Sequence, residues 1–123
     1  MAYLTDRKRA TGLGSAKTGT EHHWHMQISS VALLVLVPLF LFSFGSVVGE
    51  PYEAVIAHLS RPFPAIITGL MLIVGFDHFR HGVQTAIEDY SDGLTRKALI
   101  IAMICVSYGA MAVGLFALAR LAL

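Results

Sequence analysis

Three long stretches of this 123-residue chain carry no Asp, Glu, Lys or Arg: Met26 to Gly49, Pro62 to Phe76, and Ala98 to Ala119. A helix crossing a hydrocarbon core of about 30 Å takes roughly 20 predominantly apolar residues. The first and third stretches meet that length outright. The middle one is shorter, but it extends backwards through Ala54 to Ser60 and forwards past His78, which makes one long helix with polar ends. The expected fold is therefore all-α and integral to the membrane. It places three transmembrane helices at about 28–49, 60–88 and 95–120 in an anchor domain spanning 27–123, preceded by an extended N-terminal segment, 1–26.

Composition agrees with that class. A content of 55% hydrophobic and 14% charged residues, with a mean hydropathy of +0.66, does not describe an ordinary soluble domain. A formal net charge of +1 argues against a nucleic-acid role. Gly49-Glu50-Pro51 ends the first helix, and Ser91-Asp92-Gly93 with Thr95 separates the second from the third. Pro62 and Pro64 either begin the second helix or interrupt an interfacial turn over residues 54–60. Pro38 is expected to kink the first helix without breaking it. The first apolar run starts near Ile28 and is far longer than a signal-peptide core, so the N-terminal segment is expected to remain on the mature chain. The single cysteine, Cys105, lies in the third run and is expected to fill core space.

Basic residues set the orientation. The N-terminal segment carries Arg7, Lys8, Arg9 and Lys17, and the second loop after His78 carries Arg80, Arg96 and Lys97. The first loop has only Arg61 against Glu50 and Glu53. The positive-inside rule then puts the N-terminus and the Asp89-Tyr90 loop on the cytoplasmic side of a multi-pass inner-membrane protein, or on the matrix side in a mitochondrion.

His78 is the residue that most demands a chemical reason. Ionisable groups within a span are costly and are usually functional. With a rise of about 1.5 Å per residue, His78 stands roughly 15 Å from a helix end near Glu88, close to mid-membrane. Gly75 and Gly82 sit at i−3 and i+4 from it, on the same helix face. An imidazole flanked by two missing side chains suits an axial haem ligand with a flat macrocycle against the backbone. The same pattern also suits a small-residue packing face whose histidine bonds to another helix, or a different metal. No second histidine lies at that depth: His58 is near the opposite surface and His81 is a turn nearer the cytoplasm on another face. A bis-histidine haem therefore needs a partner subunit. Asp77, Arg80 and His81 are spaced to pair with one another, and Arg80 either binds a haem propionate or snorkels to the interface.

Twelve residues after His78 comes Asp89-Tyr90, at the polar mouth of the same helix. A quinone head group takes hydrogen-bond donors at its carbonyls and protons on reduction, and a tyrosine hydroxyl beside a carboxylate offers both. Tyrosine is also a common interfacial anchor. His22-His23-Trp24-His25 has the composition of a metal-binding tract but loose spacing, and reads otherwise as an interfacial segment anchored by Trp24. The hydroxyls of Ser29 and Ser30 either bond back to carbonyls or reach a quinone.

The run from His78 through Gly82 to Asp89-Tyr90, the His-His-Trp segment leading into a Ser-rich helix start, and the Pro-containing first span together resemble the smaller hydrophobic membrane-anchor subunit of succinate dehydrogenase (respiratory complex II). The likeness is to the alphaproteobacterial and mitochondrial branch and covers about residues 20–120. The resemblance implies a two-subunit helical bundle that holds haem b and helps form the ubiquinone site of succinate:ubiquinone oxidoreductase. It implies His78 as an axial ligand with Gly82 beside it, Tyr90 as the donor to ubiquinone, and Asp89 in the quinone pocket. The implied partners are a second haem-binding anchor, an iron-sulfur subunit, a flavoprotein subunit and membrane lipid. The chain alone is then no enzyme, in keeping with one cysteine and no Gly-rich dinucleotide fingerprint. At one point the sequence departs: relatives commonly carry an arginine near the position of Ile28, so that Arg80 or the partner subunit takes over its charge. The rival functions are an anchor of another quinone-linked oxidoreductase, such as a fumarate reductase, and a structural membrane protein without haem.

Overall fold

A computed structural model describes residues 4–14 and 18–122, Thr18 by its backbone alone. Lys17, one of the basic residues that set the orientation, lies outside the described residues. Five helices follow in order: Asp6–Thr11 (α1), Thr18–Gly45 (α2), Tyr52–Leu59 (α3), Pro62–Tyr90 (α4) and Gly93–Ala122 (α5). Three of them, α2, α4 and α5, are long and apolar enough to cross a membrane. At 28, 29 and 30 residues each is about 42–45 Å long, so their ends project beyond a hydrocarbon core of about 30 Å.

Within the N-terminal segment, residues 6–11 and 18–26 are helical where the sequence leads one to expect an extended segment. Thr5 caps α1, its hydroxyl accepting from the Lys8 N–H at 3.2 Å. Helix α2 begins ten residues before Ile28. The added turns are not apolar, but they pack on the Tyr90-proximal half of α4: His22 lies 3.5 Å from the Thr85 hydroxyl and His25 stacks on His81. Tertiary contact therefore carries the helix past the end of the hydrophobic pattern.

Pro38 sits inside α2 without ending it. The helix ends at Gly45, four residues before the expected stop, and a turn over residues 46–49 follows. Gly49 closes it with φ 87°, a left-handed conformation that costs glycine little. Residues 52–59 form a separate short helix rather than the start of the second span. Pro62 then opens α4, in the first turn, where its missing N–H removes no bond. Two polar contacts hold α3 against the bundle: His58 Nε2 with the Ser43 hydroxyl at 3.1 Å, and the Ser60 hydroxyl donating to the Leu121 carbonyl at 2.9 Å.

Helix α4 is central, with α2 on one side and α5 on the other, and the backbones of α2 and α5 do not approach closely among the described residues. The α4–α5 seam uses small residues for close approach. Leu72 packs onto Gly114, where a Cβ would lie 3.2 Å from its Cδ1, and Leu118 packs onto Gly69. A row of three helices encloses little. The buried apolar residues are Leu36, Val47, Leu59 and Ile67 among those described. Cys105 is exposed on the outer face of α5 instead of filling core space, because α5 has only one neighbouring span to cover it. Arg80 lies inside α4, not in the second loop, so the basic charge at that end rests on Arg96 and Lys97 in the first turn of α5.

Candidate functional site

His78 faces α2, and a serine meets it there. Its Nδ1 lies 2.9 Å from the hydroxyl of Ser29, which is buried at 7% exposure and also lies 3.0 Å from the Met26 carbonyl. Among the described residues Nε2 has no hydrogen-bond partner, and the ring is half-buried. On the same face a Cβ built on Gly82 meets no packing neighbour within 4 Å among the described residues, and one on Gly75 meets only the flexible tip of Met71 at 3.9 Å. From His78 to the ends of α4 is about 24 Å towards Pro62 and about 18 Å towards Tyr90, which keeps the ring well inside the bilayer.

Beside His78 on α4 stands a charged group whose Arg80, two positions along, turns towards Tyr108 of α5. Arg80 Nη2 donates to His81 Nε2 at 2.8 Å and approaches Asp77 Oδ1 at 3.4 Å. A guanidinium has no acceptor, so His81 Nε2 accepts; its Nδ1–H then donates to the Asp77 carbonyl at 2.9 Å. His81, 9% exposed, also stacks on His25, with ring centroids 5.8 Å apart, and lies 5.1 Å from the ring of His22. The guanidinium stands over the Tyr108 ring at 5.6 Å. Together these contacts offset the burial of three ionisable side chains within the span. Arg80 Nε is buried with no acceptor among the described residues. His22 and His25 thus pack on His81, and no cluster able to hold a metal ion occurs among the described residues.

Asp89 and Tyr90 end α4, with Tyr90 90% exposed. The structure does not bring them to His78. The turn beyond them is held by Arg96, which donates from Nε to the Ser91 carbonyl at 2.6 Å and from Nη2 to the Glu88 carbonyl at 2.9 Å and to Asp92 Oδ1 at 2.8 Å. These bonds satisfy carbonyls that the end of a helix leaves without an internal partner. Gly93, with φ 61°, lets the chain reverse into α5. Arg96 counts in the sequence only as a positive charge, and Ser29 only as a hydroxyl near the start of the first span. The signal that marks Ser29 is a polar residue within an apolar run. A cavity of about 800 Å³ lies at the opposite end of the bundle, lined by Leu39, Ser43, His58, Arg61 and Phe63 among others, and touches neither His78 nor Tyr90.

Three helices long and apolar enough to cross a membrane define the class as a multi-pass helical membrane protein. Residues 1–113 match the profile of the succinate dehydrogenase/fumarate reductase transmembrane subunit family. The chain is 48% identical over 123 residues to the succinate dehydrogenase hydrophobic membrane anchor subunit of Paracoccus denitrificans, covering 100% of this chain and 95% of that protein. It is 36% identical over 97 residues, 77% of each chain, to the protein of the same description from Rickettsia bellii. No solved structure matches it. The chain belongs to the succinate dehydrogenase/fumarate reductase transmembrane subunit family, as an anchor of the succinate dehydrogenase kind. It is a non-catalytic, multi-pass membrane subunit.

Proposed function

We propose that this chain anchors the soluble subunits of a succinate:ubiquinone oxidoreductase, binds haem b jointly with a second anchor, and supplies part of the ubiquinone site. The observation that carries the haem reading is the state of His78: Nδ1 engaged by Ser29, Nε2 without a partner among the described residues, and open space at Gly82 on the same face. That donor set fits an axial imidazole. Haem b bound there supplies a one-electron store within the span.

His78 would hold the haem through Nε2, Gly82 would leave room for the macrocycle, and Arg80 would offer a propionate its unsatisfied Nε donor while Nη2 stays on Asp77 and His81. Tyr90 donates its hydroxyl to a quinone carbonyl at the cytoplasmic edge, and Asp89 beside it lies where protons enter from water. The sparse core supports a partner: a second anchor would cover the faces of α2 and α4 left bare and would supply a further ligand to the haem. Flavin and iron-sulfur chemistry belong to a flavoprotein subunit and an iron-sulfur subunit docked on the cytoplasmic side of the inner membrane. Both named relatives are succinate dehydrogenase anchors, which favours succinate oxidation over fumarate reduction as the physiological direction.

The dithionite-reduced minus oxidised spectrum of the purified complex tests this reading. His78→Ala should remove or alter the b-type bands while much of the complex still assembles. An unchanged low-spin spectrum would overturn the assignment.

A further inference from the structure

We infer that Ser29 is a positioning residue for His78, holding the imidazole in the tautomer and orientation that direct Nε2 at iron. The inference rests on the proposed haem role of His78 and adds to it a side chain 49 positions away in sequence.

A hydroxyl has one hydrogen and can accept as well as donate. The Met26 carbonyl, one turn before Ser29 on α2, can only accept, and it lies 3.0 Å from the Ser29 oxygen and 2.7 Å from that of Ser30. With the Ser29 hydrogen on that carbonyl, the 2.9 Å contact to His78 is made by the imidazole, Nδ1–H donating to the serine oxygen. The hydrogen is then on Nδ1 and the lone pair on Nε2, as an axial ligand requires. Ser29 is itself fixed: it is 7% exposed, and its bond back to Met26 sets its rotamer. The contact therefore orients the ring as well as selecting its tautomer. A metal-bound histidine whose second ring nitrogen donates a hydrogen bond is also a stronger electron donor. A stronger donor favours ferric over ferrous iron, so the Ser29 contact lowers the haem midpoint potential.

The test uses the assembled, detergent-extracted complex carrying Ser29→Ala or Ser29→Thr. Two quantities are read besides activity: the haem midpoint potential by redox titration, and the rate of haem transfer to added apomyoglobin. Ser29→Ala should raise the potential and speed haem loss about 10-fold or more, the scale on which such supporting hydrogen bonds act. Ser29→Thr keeps a hydroxyl at the same place and should stay near wild type in both. If Ser29→Ala changes neither quantity, or Ser29→Thr lies no closer to wild type than Ser29→Ala, the inference is overturned. His78→Ala run in parallel separates the two levels. An altered b-type spectrum there with a silent Ser29→Ala defeats the positioning role alone, whereas an unchanged spectrum in His78→Ala defeats the haem ligand and Ser29 with it.

Discussion

Tyr90→Phe keeps an aromatic ring at the end of α4 and removes one hydroxyl. If that hydroxyl holds a quinone carbonyl, its loss costs about 0.5–1.5 kcal/mol, and quinone reductase activity should drop roughly 2- to 13-fold, more if the quinone oxygen is left buried and unpaired. Succinate oxidation with an artificial acceptor that draws electrons from the soluble subunits should stay near normal, since the substitution leaves those centres untouched. A parallel fall in both activities would make Tyr90 a docking or folding residue. No change in either would leave it an interfacial anchor, a role its 90% exposure on the isolated chain also allows. His78, Gly82, Asp89 and Tyr90 are legible in the sequence because their relations lie within thirteen residues of one helix and follow from its period. Ser29 is not, because its contact with His78 joins two spans and depends on their relative rotation and depth.

Glycines on different faces of α4 and α5 do different work, and one substitution type separates them. Gly114 receives Leu72, so Gly114→Leu should force α4 and α5 apart. The expected result is a complex with a lower thermal midpoint but a normal haem content per assembled complex. Among the described residues nothing lies within 4 Å of a Cβ built on Gly82, unlike Gly114, so Gly82→Leu should disturb the α4–α5 seam less and should instead exclude the macrocycle. Haem per assembled complex should then fall steeply. Equal haem content in the two variants would count against a porphyrin lying on that turn. The elements themselves were readable as apolar stretches bounded by Gly and Pro, but their ends were not. Helix α2 gained ten residues through contacts of His22 and His25 with α4, and residues 52–59 became a helix of their own once Pro62 began a new one.

On the scale of the whole molecule, one central helix flanked by two others leaves most of the apolar surface for lipid and partner subunits. The three spans put α1 and the α4–α5 turn on one side and α3 on the other, and the basic residues of the sequence assign the first side to the cytoplasm as an expectation. In a cysteine-free background made by Cys105→Ser, a cysteine introduced by Thr5→Cys should react with a membrane-impermeant maleimide only from the cytoplasmic side, and one introduced by Tyr52→Cys only from the opposite side. The reverse pattern would invert the orientation and move Tyr90 away from the cytoplasmic face. Cys105 itself, exposed on α5 within the span, should stay unlabelled from either side because lipid or a partner covers it.

By itself the sequence determined three segments able to cross a membrane, two of them charge-free runs of spanning length and the third a shorter run that extends past His78. It also determined which helix carries the imidazole and the acid-tyrosine pair, since spacing along one helix converts directly into depth. Only the tertiary structure decided that α4 lies between α2 and α5, that Cys105 faces outward, and that Arg80 is held by Asp77, His81 and Tyr108. It also decided that Ser29 meets His78. Those outcomes turn on which face each helix gives its neighbour. In spans that are apolar nearly all the way round, hydrophobicity cannot select that face, and the few polar side chains and glycines select it through contacts that exist only once the helices have packed.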